Sequence, residues 1–216
     1  MGRAFDLSVY FVADPAVCAG RDVADIVMAA VRGGATMVQY RNKSGDMARI
    51  TADAALLAEM LKPLGVPFLV NDYVDVAFAA GADGVHLGQG DASPEEARAK
   101  LGAGAIIGLT AFTDEQIEAV DPDVVDYIGT GPFYITETRK GKPLLGGDEG
   151  RAFKALAALS PVPVVGIGGI TPGNARAVLE AGARGVAMMR AISEAEDPEG
   201  AARAFAGVIA AGKIPA

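Results

Sequence analysis

Short apolar runs alternate with longer, Ala-rich amphipathic stretches eight times along this chain. Each run is rich in Val, Ile or aromatic residues and ends in a Gly- or Asp-bearing turn. The stretch that follows has the spacing of a helix of about two to four turns. The pattern predicts strands over 9–12, 37–40, 68–70, 84–87, 106–109, 127–129, 164–166 and 185–188. Helices are expected near 23–32, 47–64, 74–80, 94–101, 114–120, 149–159, 172–181 and 198–211. Ser93-Pro94 and Thr171-Pro172 each put a capping hydroxyl before a proline suited to the first helical position. Gly33-Gly34-Ala35-Thr36, Gly81-Ala82-Asp83-Gly84 and Gly182-Ala183-Arg184-Gly185 precede strands, and glycine there can end a helix in a left-handed conformation.

Eight alternating units with parallel strands form either a closed barrel or an open doubly wound sheet. The barrel is the better reading. No glycine-rich dinucleotide fingerprint follows the first strand, and polar residues gather after nearly every strand. No linker rich in Pro, Gly or Ser divides the chain, so residues 1–216 are expected to form one α/β domain, a (β/α)8 TIM barrel. The longest irregular stretch, 131–148, follows strand six and belongs on the active face of such a barrel.

A net charge of −8 argues against nucleic acid or an acidic membrane as the main partner, though a local basic cluster can still bind an anionic substrate. No apolar run approaches the ~20 residues that span a bilayer, and the N-terminus lacks a signal-peptide pattern. The expectation is a cytoplasmic protein acting on small molecules, with a homo-oligomer left open. Cys18 is the only cysteine, so no internal disulfide or cysteine metal cluster can form.

The stretch Val70 to Asp91, VNDYVDVAFAAGADGVHLGQGD, reads strand, short helix, strand. Parallel neighbours would bring Asp72 and Asp91 out of the sheet at the same end. Two carboxylates facing one space repel each other unless a cation lies between them, and Mg2+ favours one or two carboxylates plus ligand phosphates. The pair points to a Mg2+ site for a phosphorylated substrate; helix capping or turn formation is the plainer alternative.

In a barrel, residues just past each strand share one site. Gln39, Arg41 and Lys43 alternate along an extended segment, so their side chains can point one way, and two cations with an amide suit a diphosphate. A solvated charged edge is the alternative. Asn71 and Asp72 follow strand three, Gln89 and Asp91 strand four, Thr110 and Thr113 strand five, and Thr136, Thr138, Arg139 and Lys140 strand six. Strand seven ends in the glycine cluster VVGIGGIT (Val164 to Thr171), whose N–H groups could cradle a phosphate together with Met189-Arg190-Ala191-Ile192 after strand eight. A turn that needs glycine for conformation alone is the competing reading. His86 is the only histidine, so neither a Ser-His-Asp triad nor a histidine metal cluster is easily built, and packing or hydrogen bonding in the barrel mouth is expected. Chemistry without a protein nucleophile needs a good leaving group, and a diphosphate held by Mg2+, Arg41 and Lys43 is one.

Six motifs then carry a resemblance. GATMVQYRNK (Gly34 to Lys43), VNDYVD (Val70 to Asp75), GADGVHLGQGD (Gly81 to Asp91), YIGTGP (Tyr127 to Pro132), TET (Thr136 to Thr138) and VGIGGIT (Val165 to Thr171) occur in order. Together they resemble thiamine phosphate synthases over nearly the whole chain. The resemblance implies a (β/α)8 barrel that joins an aminopyrimidine methyl diphosphate to a thiazole phosphate, or its carboxylated form, giving thiamine phosphate and diphosphate. It implies that Gln39, Tyr40, Arg41, Asn42, Lys43 and Asn71 bind the pyrimidine diphosphate, and that Asp72 and Asp91 bind Mg2+. Thr110 stands near the pyrimidine, where the family often has serine. Thr136, Glu137 and Thr138 would line the thiazole phosphate site with Gly168, Met189 and Arg190, and the implied catalytic set is Arg41, Lys43, Thr110 and Arg139. In the family's mechanism diphosphate departs first and the thiazole nitrogen captures the pyrimidine-methyl cation.

Three positions depart from the family pattern. Arg139 stands where lysine is usual, and Lys140 or Lys142 could take that role; arginine keeps the charge but changes geometry and hydration. Phe112 replaces a histidine common in relatives, and Arg190 a serine. Two alternatives follow: a thiazole tautomerase, an activity associated with histidine after strand five, or a non-catalytic barrel that binds thiamine intermediates.

Overall fold

Alternation within each strand sorts the side chains of this protein into two apolar layers. The computed structural model describes residues 5–137 and 143–212. Its strands are β1 (Val9–Ala13), β2 (Met37–Tyr40), β3 (Phe68–Asn71), β4 (Gly84–Leu87), β5 (Ile106–Thr110), β6 (Tyr127–Thr130), β7 (Val164–Ile167) and β8 (Gly185–Met188). Each pairs in parallel with its neighbour in sequence, and β8 pairs with β1, closing the barrel. The helices are α1 (Val23–Arg32), α2 (Met47–Leu61), α3 (Val74–Ala80), α4 (Pro94–Leu101), α5 (Asp114–Glu118), α6 (Gly147–Leu159), α7 (Ala175–Glu180), the short α8 (Arg190–Ser193) and α9 (Pro198–Gly212).

Outward-facing Val9, Phe11, Val38, Phe68, Val70, Val85, Ile107, Ile128 and Val186 are buried beneath the helices. Each such apolar side chain contributes about 1.5–3 kcal/mol when fully buried, so this layer holds the helices on the barrel. Inward-facing Tyr10, Val12, Met37, Leu69, Ile106, Tyr127, Val165 and Ala187 fill the interior. Toward the carboxyl ends of the strands the interior turns polar: Gln39 lies two residues beyond Met37, Asn71 beyond Leu69, and Thr110 on β5 beyond Gly108. The same alternation that builds the core therefore aims polar groups into the mouth.

Local chemistry sets the helix boundaries. Ser93 caps α4 in a reciprocal capping box with Glu96. Thr171 does not cap α7. The Asn174 side chain accepts a hydrogen bond from the Thr171 N–H (2.7 Å), closing a turn first, and the helix starts at Ala175. Helix α2 gives way after Leu61 to a tighter turn at Lys62–Leu64, where Pro63 has no N–H to continue the ladder. Left-handed residues at Asp148, Glu149 and Gly150 interrupt α6 near its start.

The glycine phrases before the strands divide the work differently from the expectation. Gly81 ends α3 in the left-handed conformation (φ 65°), as expected, but Gly33 has φ −76° and Gly34 carries the positive φ (104°). Gly33 is instead required by close approach, since a Cβ there would lie 2.3 Å from the Glu199 carbonyl oxygen at the start of α9. This contact lets α9 pack against α1. Gly33→Ala is expected to destabilise the protein by about 1–3 kcal/mol through overpacking, read as a lowered urea midpoint. An unchanged midpoint would contradict the close approach.

Candidate active site

The carboxyl ends of the strands surround a cavity of about 720 Å³. Gln39, Arg41, Lys43, Asn71, Asp72, Asp91, Thr110, Thr136, Glu137, Gly168, Met189 and Arg190 all line it. The alternation past β2 thus brings Gln39, Arg41 and Lys43 together. The intervening residues face elsewhere: the Tyr40 hydroxyl donates to Asp53 of α2 (2.8 Å), and the Asn42 amide donates to the Tyr40 hydroxyl (2.9 Å). Thr138, Arg139, Lys140 and Lys142 lie outside the described residues.

Each described cation of the lining faces an acid. Arg41 pairs with Asp14, Lys43 with Asp72, and Arg190 with Glu194 one helical turn along α8. Asp14 is only 3% exposed, and its other oxygen accepts from the Ala16 N–H (2.9 Å), so the turn after β1 fixes the acid that holds Arg41. Asp14 is not among the site residues expected from the sequence. An acid directly after a strand was the available signal, the same one that marks Asp72 and Asp91.

Asp72 and Asp91 do share one space. The Asp72 N–H donates to the His86 carbonyl (2.8 Å), and Asp72 has φ 65°, a conformation uncommon for a residue with a side chain. Asp91 stands on the exposed rim, but its carboxylate folds back to accept from the Gly88 N–H (2.6 Å). Loss of water there pushes its pKa up, the Gly88 N–H pulls it down, and the adjacent Asp72 carboxylate pushes it up again. Among the described residues no cluster of three or more His, Cys, Asp or Glu side chains could hold a metal. A metal here would have these two carboxylates and would complete its shell with water and ligand oxygens.

The other side of the mouth is built on backbone. Gly168 and Gly169 have φ 101° and 64°. A Cβ on Gly168 would lie 2.6 Å from Pro132, and one on Gly169 would lie 2.4 Å from the Ile135 carbonyl oxygen. The Phe133 N–H donates to the Ile167 carbonyl (2.8 Å) and the Tyr134 N–H to that of Gly168 (2.9 Å). The glycines therefore let the loop after β6 run against the end of β7, which brings Thr136 and Glu137 to the cavity. No side chain caps α8, and Met189, Arg190 and Ala191 at its start also line the cavity.

The floor is a hydrogen-bonded line that the sequence did not reveal. Gln39 Nε2 lies 2.6 Å from the Tyr10 hydroxyl, which lies 2.7 Å from that of Tyr127. His86 bridges the Tyr127 hydroxyl (Nδ1, 2.9 Å) and Thr110 Oγ1 (Nε2, 2.9 Å). His86 thus hydrogen-bonds in the barrel mouth, as expected. No Ser or Cys lines the cavity among the described residues. The arrangement suits anion binding and stabilisation of charge on a leaving group rather than covalent catalysis.

Comparison with known proteins agrees. A family model described as thiamine monophosphate synthase matches residues 9–192. A thiamine-phosphate synthase of Xanthobacter autotrophicus is 44% identical over 213 residues, covering 98% of this chain and 100% of that protein. One of Azorhizobium caulinodans is 43% identical over 209 residues, covering 97% and 98%. A solved structure of thiamine phosphate pyrophosphorylase from Pyrococcus furiosus superposes with a TM-score of 0.84 at 30% identity, covering 95% of this chain and 96% of that one. The chain belongs to the thiamine monophosphate synthase family and is a transferase of that kind.

Proposed function

We propose that this cavity joins an aminopyrimidine methyl diphosphate to a thiazole phosphate, or its carboxylated form, and releases diphosphate and thiamine phosphate. The observation that carries the reading is the meeting of two anion-binding arrangements at one mouth. Arg41 and Lys43 stand beside the Asp72–Asp91 pair, and the Gly168–Gly169 turn faces the cavity with the uncapped start of α8. Two phosphorylated substrates need two such places.

Asp72 and Asp91 fit Mg2+. They are hard oxygen donors; loss of water first, and then the adjacent Asp72 carboxylate, raise the Asp91 pKa, and a divalent cation would relieve the crowding of the two acids. When bound, the ion supplies positive charge to a departing diphosphate. Arg41 and Lys43 hold that diphosphate and neutralise charge as its C–O bond breaks, while Gln39, Asn71 and Thr110 hold the pyrimidine portion. Tyr40 and Asn42 contribute by tying the exit of β2 to α2. The glycine turn, Met189, Arg190, Thr136, Glu137 and Thr138 orient the thiazole phosphate, with Arg139 at the position where the family has lysine. The pyrimidine-methyl cation is stabilised by its own amino group, and the thiazole nitrogen closes the new C–N bond, so no protein nucleophile is required.

Phe112 lines the cavity where a tautomerase would present histidine, which favours the synthase reading. The proposal places the enzyme in the cytoplasm with residues 1–216 acting as one domain, and is compatible with a homo-oligomer. No helix among the described residues is long and apolar enough to cross a membrane.

Asp72→Ala is expected to lower Mg2+-dependent turnover by more than ~100-fold, about 2.7 kcal/mol of transition-state stabilisation. Its cooperative unfolding should be retained. Near-normal turnover by the folded variant would contradict the metal assignment.

A further inference from the structure

With the Gln39 amide oriented Nε2 toward Tyr10, the line Gln39–Tyr10–Tyr127–His86–Thr110 satisfies every member in one direction of donation. Tyr10 and Tyr127 are 1% and 0% exposed. Burial pushes both phenols well above their usual pKa, so each keeps one proton to donate. Gln39 Nε2–H donates to the Tyr10 oxygen. The Tyr10 proton then goes to the Tyr127 oxygen, and the Tyr127 proton to His86 Nδ1. That makes Nδ1 the acceptor and leaves the imidazole proton on Nε2, which donates to Thr110 Oγ1.

Two consequences reach the cavity, which both end residues line. With one Nε2–H given to Tyr10, Gln39, which lines the cavity, has its carbonyl oxygen to accept from a ligand. Thr110, already accepting from His86, has its own hydroxyl proton to give. The barrel is shaped around this line. A Cβ on Gly108 would lie 2.2 Å from the Tyr127 ring, and one on Gly129 would lie 3.1 Å from His86 Cε1. The Tyr10 and Tyr127 rings meet edge to face at 5.8 Å, and His86 lies against Tyr127 at 5.6 Å.

We propose that the Tyr10–Tyr127–His86 line determines base specificity by fixing Gln39 as acceptor and Thr110 as donor. The site then takes an aminopyrimidine and rejects the pyrimidinone in which the amino donor and ring-nitrogen acceptor have exchanged roles. This rests on the reading that the cavity binds an aminopyrimidine diphosphate. Tyr10, Tyr127 and His86 are positioning residues, acting through the two groups that meet the ligand. A pocket built on fixed polar partners discriminates strongly because the wrong ligand leaves buried groups unpaired.

The test compares two probes, the aminopyrimidine methyl diphosphate and its pyrimidinone counterpart, by calorimetry with Mg2+ and without thiazole phosphate. The wild type is expected to favour the amino probe by about tenfold or more, equivalent to about 1.4 kcal/mol. Tyr127→Phe and, separately, Tyr10→Phe should bring that ratio toward one. Equal weakening of both probes with the ratio preserved would overturn the proposal and leave the line a purely structural feature. Binding of neither probe by the wild type would overturn the reading of the cavity itself.

A second measurement needs no ligand and stands if a variant fails to fold. Because His86 is the only histidine, nitrogen NMR of histidine-labelled protein reports this one ring. A pyridine-type Nδ1 and a pyrrole-type Nε2 are expected, whereas a proton on Nδ1 would reverse the line and overturn the proposal even if the amino probe binds.

Discussion

Closure of the parallel barrel is the constraint on which the rest depends. In a strand only every second residue can face inward, so each strand contributes few interior groups, and the one nearest its carboxyl end faces the mouth. Here those positions carry Gln39, Asn71, His86 and Thr110, with Met37, Leu69 and Ile106 in the apolar barrel interior beneath them. The residues on the other face, such as Tyr40 and Val70, anchor the helices. A shift of one residue in any strand would exchange the two sets, so the hydrophobic pattern that stabilises the fold also fixes the site.

Electrostatics at the mouth follow from that placement. An acidic chain of net charge −8 binds anions by holding its local cations in place, and the cations of the described lining are held by acids: Arg41 by Asp14, Lys43 by Asp72 and Arg190 by Glu194. Asp72 serves both sets, since it faces Lys43 and also crowds Asp91. Of these pairs, an exposed one such as Arg190–Glu194 contributes little to stability. Their value lies in presenting charge in a fixed geometry before a ligand arrives.

Much of this was legible in the sequence because it has short period or local chemistry. The eight apolar runs, the alternation of Gln39, Arg41 and Lys43, and the acids ending β3 and β4 are all patterns within a few residues. What was not legible depends on closure or on competition between local bonds. Tyr10 and Tyr127 read as ordinary core aromatics, and their contact spans 117 residues. Gly33 reads as a helix terminator until α9 is seen against it. Thr171-Pro172 is a sound capping signal overridden by the Asn174 side chain three residues later. Asp14 follows the first strand as Asp72 follows the third, but nothing nearby in sequence reveals that Arg41 is its partner.

The most direct test of the account is to mix the purified protein with the aminopyrimidine methyl diphosphate, thiazole phosphate and Mg2+. Thiamine phosphate and diphosphate release are then followed with and without EDTA. The account predicts equal release of both products, lost on chelation and restored by added Mg2+. Binding of both substrates without product, or turnover indifferent to EDTA, would contradict it.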